Sequence, residues 1–152
     1  MKMRARRKNS GHLLAEVMLA VLMLAVCALI FSATLPSAHK SRAKADNYNI
    51  ATSLASKMME EVRHTGYQNA NATALLANGL IDSASPVATD TYAWTNVDLG
   101  VVDSPSSTLL DGTATIRIKS LASELIELTT TVTWTESGQT KRVTLSALLA
   151  NI

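Results

Sequence analysis

A single carboxylate, Glu16, stands in an apolar run covering residues 13–31 and continuing more weakly to Leu35. At mid-bilayer an ionised side chain costs about 2.5–3.5 kcal/mol on insertion scales, so its presence there calls for a partner. The chemistry on offer is charge pairing. Within lipid a lone carboxylate and a lone ammonium each lack compensation, and joining them removes both penalties. Such a pair sets register between helices more than it adds net stability. A second reading stays open, because Glu16 lies only one helical turn into the run. From there a carboxylate can snorkel to the interface without any partner.

No other chemistry-bearing residues form a pattern. His12, His39 and His64 are separated far beyond the three- or four-residue spacing that lets helix side chains share a metal. No Ser-His-Asp constellation, nucleotide-binding glycine loop or paired carboxylate has a supporting context. Glu60 and Glu61 are adjacent, so on a helix they point apart and are solvated. Asp90, Asp98, Asp103 and Asp111 invite a calcium reading but lack the alternate spacing of a calcium loop; they read as solvated turn residues. Asn71-Ala72-Thr73 fits a glycosylation sequon. No catalytic role, cofactor or metal is expected.

The apolar run matches the roughly 20 residues that cross a bilayer as a helix. Lys2, Arg4, Arg6, Arg7 and Lys8 precede it, which predicts a cytoplasmic N-terminus and an exported remainder. An ordinary secretory signal has a shorter apolar region and an A-x-A-like cleavage site, which Pro36-Ser37-Ala38 fits poorly. Arg6-Arg7 also invites a twin-arginine reading. The five leader cations belong to a total of 14 Lys and Arg; the nine that remain face 12 Asp and Glu, a net −3. The chain beyond these five cations therefore offers no electrostatic footprint for nucleic acid. Cys27 is the one cysteine, so no intramolecular disulfide forms, and its place in the apolar run reads as a small buried side chain.

The stretch from Gly11 to Ala20, GHLLAEVMLA, resembles the N-terminal signature of type IV pilin-like proteins: a basic leader ending in Gly, and a Glu fifth in the mature chain. The resemblance implies cleavage between Gly11 and His12 by a prepilin peptidase and methylation of the new amino group on His12. It implies that Glu16 pairs with the N-terminal amine of a neighbouring subunit. Leu13, Leu14, Val17, Leu19, Leu22 and Ala25 would then pack in membrane and filament. Small residues Ala20, Ala25, Ala28 and Ala33 suit close helix approach. Implied partners are other pilins or pseudopilins and an inner-membrane assembly platform, with the C-terminal domain outside the bacterial inner membrane. Two departures stand out: His12 replaces the family's usual Phe, and Pro36 lies slightly beyond its frequent proline. The missing disulfide and short mature length favour a minor subunit.

Beyond Lys40, Arg42 and Lys44, basic residues suited to lipid headgroups, Ile50, Leu54, Met58 and Val62 recur every fourth residue with Ala51, Ala55 and Met59 beside them. That predicts an amphipathic helix, with Lys57 and Glu61 as an i,i+4 pair and Gly66 as its stop. A helix from His12 to His64 would measure roughly 80 Å, with Pro36 kinking or loosening it. Residues 72–80 read as a short helix closed by Gly79, residues 91–97 as a short strand, and Pro86, Gly100 and Pro105 as exposed loop. Ala114, Ile116 and Ile118 alternate with Thr115, Arg117 and Lys119, and Ile126, Leu128, Val132 and Trp134 share one face of a second strand. Glu136-Ser137-Gly138-Gln139 reads as a turn, with Val143, Leu145, Ala147 and Leu149 on the inner face of the returning strand. This hairpin also resembles the ending of small minor pilins and pseudopilins.

The expected fold is α+β and pilin-like, one long helix against a small antiparallel sheet. Its expected parts are a leader (1–11), a transmembrane half-helix (12–35), an amphipathic half-helix (36–64) and a globular domain (65–152). The rival expectation is a single-pass anchored binding module that keeps its leader and joins no filament.

Overall fold

The computed structural model describes residues 10–97 and 102–151. The readings of Lys2, Arg4, Arg6, Arg7, Lys8, Asp98 and Gly100 lie outside the described residues. The chain is α+β, with one long N-terminal helix and a four-stranded antiparallel sheet. It divides into two compact units, Met1–Ala43 and Lys44–Ile152, and helix α1 (Ser10–Thr65) contributes to both.

In the first unit α1 begins two residues before His12, so the Gly11–His12 bond falls in the first helical turn. Backbone N–H groups there have no intrahelical partner. Pro36 lies inside the helix and does not end it. Its ring withholds the donor that the Ser32 carbonyl would otherwise receive. The neighbouring Phe31 carbonyl accepts a hydrogen bond from Thr34 Oγ1 at 3.0 Å. Cys27 is exposed on this helix, within its apolar surface.

In the second unit α1 buries Ala51, Leu54, Ala55, Met58, Met59 and Val62, an apolar stripe with the three- and four-residue steps of one helix face. Ile50 was expected on that stripe but stays 37% exposed, because the 100° step per residue leaves it at the margin. Lys57 also departs from expectation. Its Nζ lies 3.1 Å from Asp103 Oδ2, and Glu61 is left to the surface on the next turn. Both partners are largely exposed, so the pair adds little to stability. The helix stops where Gly66 takes φ +80°, as the sequence predicts.

A 3-10 turn (Tyr67–Asn69) leads to α2 (Ala72–Ala77), which ends three residues earlier than expected. Asn71 caps it, its side chain accepting from the Ala74 N–H at 3.0 Å, which gives this sequon residue a structural task. Gly79 closes it in a Schellman motif: Leu80 N donates to the Leu75 carbonyl and Gly79 N to that of Leu76. Leu75 and Leu80 are both buried.

The sheet follows the order β1 (Thr91–Ala93), β2 (Thr113–Ala122), β3 (Leu125–Glu136), β4 (Gln139–Ala150). β1 is shorter than expected, stopping before Trp94. Asp82 explains why: its carboxylate accepts the N–H groups of Thr95 at 2.7 Å and Asn96 at 2.9 Å, turning the chain away from the ladder. Pro105 is buried at the start of helix α3 (Pro105–Thr108) and not in exposed loop. Ser104 draws that segment inward, donating from Oγ to the Thr95 carbonyl at 2.9 Å.

β2 and β3 alternate as expected, with Ala114, Ile116, Ile126, Leu128, Val132 and Trp134 buried. Thr130 shares that inward face, its hydroxyl donating to the Thr115 carbonyl at 3.3 Å. The hairpin turn sits on Glu136-Ser137-Gly138-Gln139, as the sequence predicts. Only Ser137 and Gly138, both at positive φ, connect the strands, and Glu136 pairs with Gln139 inside the ladder. Glu136 is therefore a buried strand residue, accepting from Asn47 Nδ2 at 3.2 Å. Val143, Leu145, Ala147 and Leu149 do face inward on β4, but only half-buried.

One close approach locks α3 to β2. A Cβ on Gly112 would sit far inside contact with the Pro105 carbonyl oxygen and 2.8 Å from its carbon. That oxygen is held by the Leu109 N–H at 3.1 Å, so it cannot retreat cheaply. Gly112→Ala is expected to cost about 1–3 kcal/mol, read as a lower urea midpoint of the full chain in detergent. An unchanged midpoint would contradict the packing described.

Candidate functional site

The helix of the first unit is long and apolar enough to cross a membrane, and none of its most apolar window is buried. Leu13, Leu14, Val17, Leu19 and Leu22 each expose more than half of their surface, and they lie all around the circumference. In water such a surface is unfavourable by roughly 1.5–3 kcal/mol for each large side chain left uncovered. A medium or neighbour that covers it is therefore required. Lipid and other apolar helices both qualify.

Glu16 breaks that surface. Helical periodicity puts His12 and Ala20 one turn away on its own face, and Val17 and Leu19 to either side. His12 and Glu16 are both exposed. Among the described residues the one ion pair is Lys57–Asp103, so Glu16 has no cation from them. Ala25, also exposed, continues the apolar surface further along. What this arrangement can do chemically is accept a cation from outside the chain. Gly11 lies five residues before Glu16 in the same helix, next to His12.

The sequence-read residues thus share one helix end but make no contact network there. His39 and His64 lie elsewhere on α1, and among the described residues no three His, Cys, Asp or Glu come together as a metal site would need. Asp90 and Asp111 take positive φ in the turns before β1 and β2, and Asp103 pairs with Lys57. The second unit also has an open cleft of about 310 Å³, lined by Glu61, His64, Thr65, Asn69, Asn78, Leu80, Val97 and Val102. Sequence reading missed this grouping, because its walls come from segments with no shared periodicity. Asn69 Nδ2 already donates to the Thr65 carbonyl at 3.0 Å, so part of the lining is internally satisfied.

Comparison with family models, curated proteins and solved structures gives no match.

Proposed function

We propose that this chain is the precursor of a minor pilin or pseudopilin, a filament subunit of the type IV pilus or type II secretion kind. It is inserted in the bacterial inner membrane with its leader inside, trimmed after Gly11 and methylated on His12. It then joins a short filament, or the tip of a longer one, with Glu16 paired to the terminal amine of a neighbour. The prepilin peptidase, an inner-membrane platform and related subunits are its partners, and it performs no catalysis.

The single observation that carries this reading is Glu16, one carboxylate on an otherwise apolar exposed helix, five residues after Gly11. A membrane tether needs the apolar surface but has no use for the charge. Covering that surface by like helices supplies the free energy of assembly. The charge supplies the stagger, because a slipped neighbour leaves it unpaired in a medium of low dielectric.

Gly11→Val tests the processing step. The first turn of α1 must open for cleavage, and a β-branched side chain at the cut position obstructs the peptidase. In the bacterial host the variant is expected to accumulate as uncut precursor, running above the mature wild-type band. Equal mobility of the two would contradict processing at this bond.

A further inference from the structure

We propose that the free edge of β4 docks an extended segment of a different, partner protein, one that alternates apolar and polar residues and ends in two successive acids. The two edges of the sheet are built differently. β1 is covered on its outer side by residues 82–88. There the Thr91 N–H donates to the Ala88 carbonyl at 2.9 Å, and the Thr91 carbonyl accepts from the Val87 N–H at 2.8 Å. The Ala93 carbonyl likewise accepts from the Asp82 N–H at 2.8 Å. β4 is the last strand on the other side and runs for twelve residues without a proline. It pairs with β3 along its whole length and in constant register.

The hairpin phase shows which backbone groups are free. A two-residue turn makes its closing pair, Glu136 and Gln139, a hydrogen-bonded pair. Odd-numbered residues from Gln139 to Leu149 therefore bond to β3. The N–H and C=O groups of Thr140, Arg142, Thr144, Ser146, Leu148 and Ala150 point to the open edge. A row of this length is a template for one more strand, with main-chain bonds giving affinity and side chains giving choice. Beside it Val143, Leu145, Ala147 and Leu149 lie half-buried against the core cluster. An added strand extends both the ladder and this apolar layer.

Charge selects the occupant. β4 carries Lys141 and Arg142 near its start and no acid. Successive side chains point to opposite faces, so Lys141 shares the inward face with Val143 and Arg142 the outward face with Thr144. The Lys141 Nζ donates to a neutral acceptor, Gln139 Oε1, at 2.9 Å. Among the described residues the one ion pair is Lys57–Asp103, so no acid among them pairs with either cation. A strand antiparallel to β4, the slightly more stable arrangement, brings its C-terminal end to this point. Two consecutive acids there meet one cation on each face. The residues before them alternate, apolar against Val143, Leu145 and Ala147, polar against Thr144 and Ser146. A second copy of this chain is a poor occupant. Its β4 brings the same two cations and no acid, and its β1 is already covered.

Fluorescence anisotropy of a labelled peptide, TVTVTVDE, titrated with the full-length chain in detergent provides the test. In the antiparallel register its two acids face Lys141 and Arg142, and its valines face Val143, Leu145 and Ala147. It is expected to bind about fivefold more tightly than TVTVTVKK. The double variant Lys141→Glu with Arg142→Glu is expected to reverse that preference. Ser146→Pro removes one outward N–H at an edge position where proline is tolerated, since β3 takes no bond from it. With its circular dichroism unchanged, that variant is expected to bind TVTVTVDE about fivefold more weakly. The surface belongs to the globular unit alone, so these results do not depend on Glu16 or on filament assembly. Absence of binding, equal affinity for the two peptides, or a preference that survives charge reversal overturns the proposal. Undiminished binding by folded Ser146→Pro chain overturns it as well.

Discussion

Glu16→Leu is expected to enter the membrane at least as well as the parent chain and to fail at incorporation into filaments. Removing the carboxylate relieves an insertion cost of about 2.5–3.5 kcal/mol, and leucine itself favours the bilayer. Assembly moves in the opposite direction. Loss of one partner from a buried pair costs about 3–5 kcal/mol, because the neighbour's ammonium stays in the apolar core uncompensated. That corresponds to at least a hundredfold fall in the equilibrium for joining the filament. Subunit recovered in the sheared filament fraction, relative to the membrane fraction, measures it. Glu16→Gln keeps the shape and removes the charge, so it is expected to fall with the leucine variant. Normal incorporation of either would contradict the pairing role.

Trp134→Ala is expected to destabilise the globular unit by about 3–5 kcal/mol, the range for truncating a large aromatic in a packed core. Trp134 is 1% exposed, on the inward face of β3. Tyr48 of α1 meets it edge-on, with ring centroids 4.8 Å apart and planes at 85°. The indole therefore links helix to sheet within one unit. Domains of this size are stable by only about 5–15 kcal/mol, so the loss removes a large part of the total. Urea unfolding in detergent, followed by the fluorescence of the buried Trp94, reads the change. Trp134→Phe keeps most of the contact and is expected to cost less than half as much. A loss below 1 kcal/mol for the alanine variant would contradict the packing.

The long helix and the last three strands were legible because each depends on periodicity within its own sequence. Ala51 to Val62 steps by three and four, and Ile126 to Trp134 by two; burial follows both rules. What escaped reading depends on contacts between distant segments. Asp82 shortens β1 by capping Thr95 and Asn96, thirteen and fourteen residues away. Ser104 buries Pro105 by reaching back nine residues to Thr95. Lys57 had a plausible local partner in Glu61, yet it pairs with Asp103, 46 residues further on. The turn Glu136-Ser137-Gly138-Gln139 was legible from its glycine, but the burial of Glu136 was not, because it depends on Asn47 from α1.

The candidate site divides along the same line. A charge inside an apolar run is a purely local signal, so Glu16 was evident, as was the Gly11 before it. Among the described residues none supplies Glu16 with a cation. The cleft beside Glu61 and His64 had no such signal, since α1, the turn after α2 and the segments at Val97 and Val102 meet only in the fold.

Intact-mass spectrometry of the wild-type protein, purified from the inner membrane of a host with the processing enzyme, tests the central claim most directly. The account predicts a chain that begins at His12, lacks residues 1–11 and carries one methyl group on its terminal amine. A mass that retains the basic leader would contradict it and would leave α1 as a simple anchor.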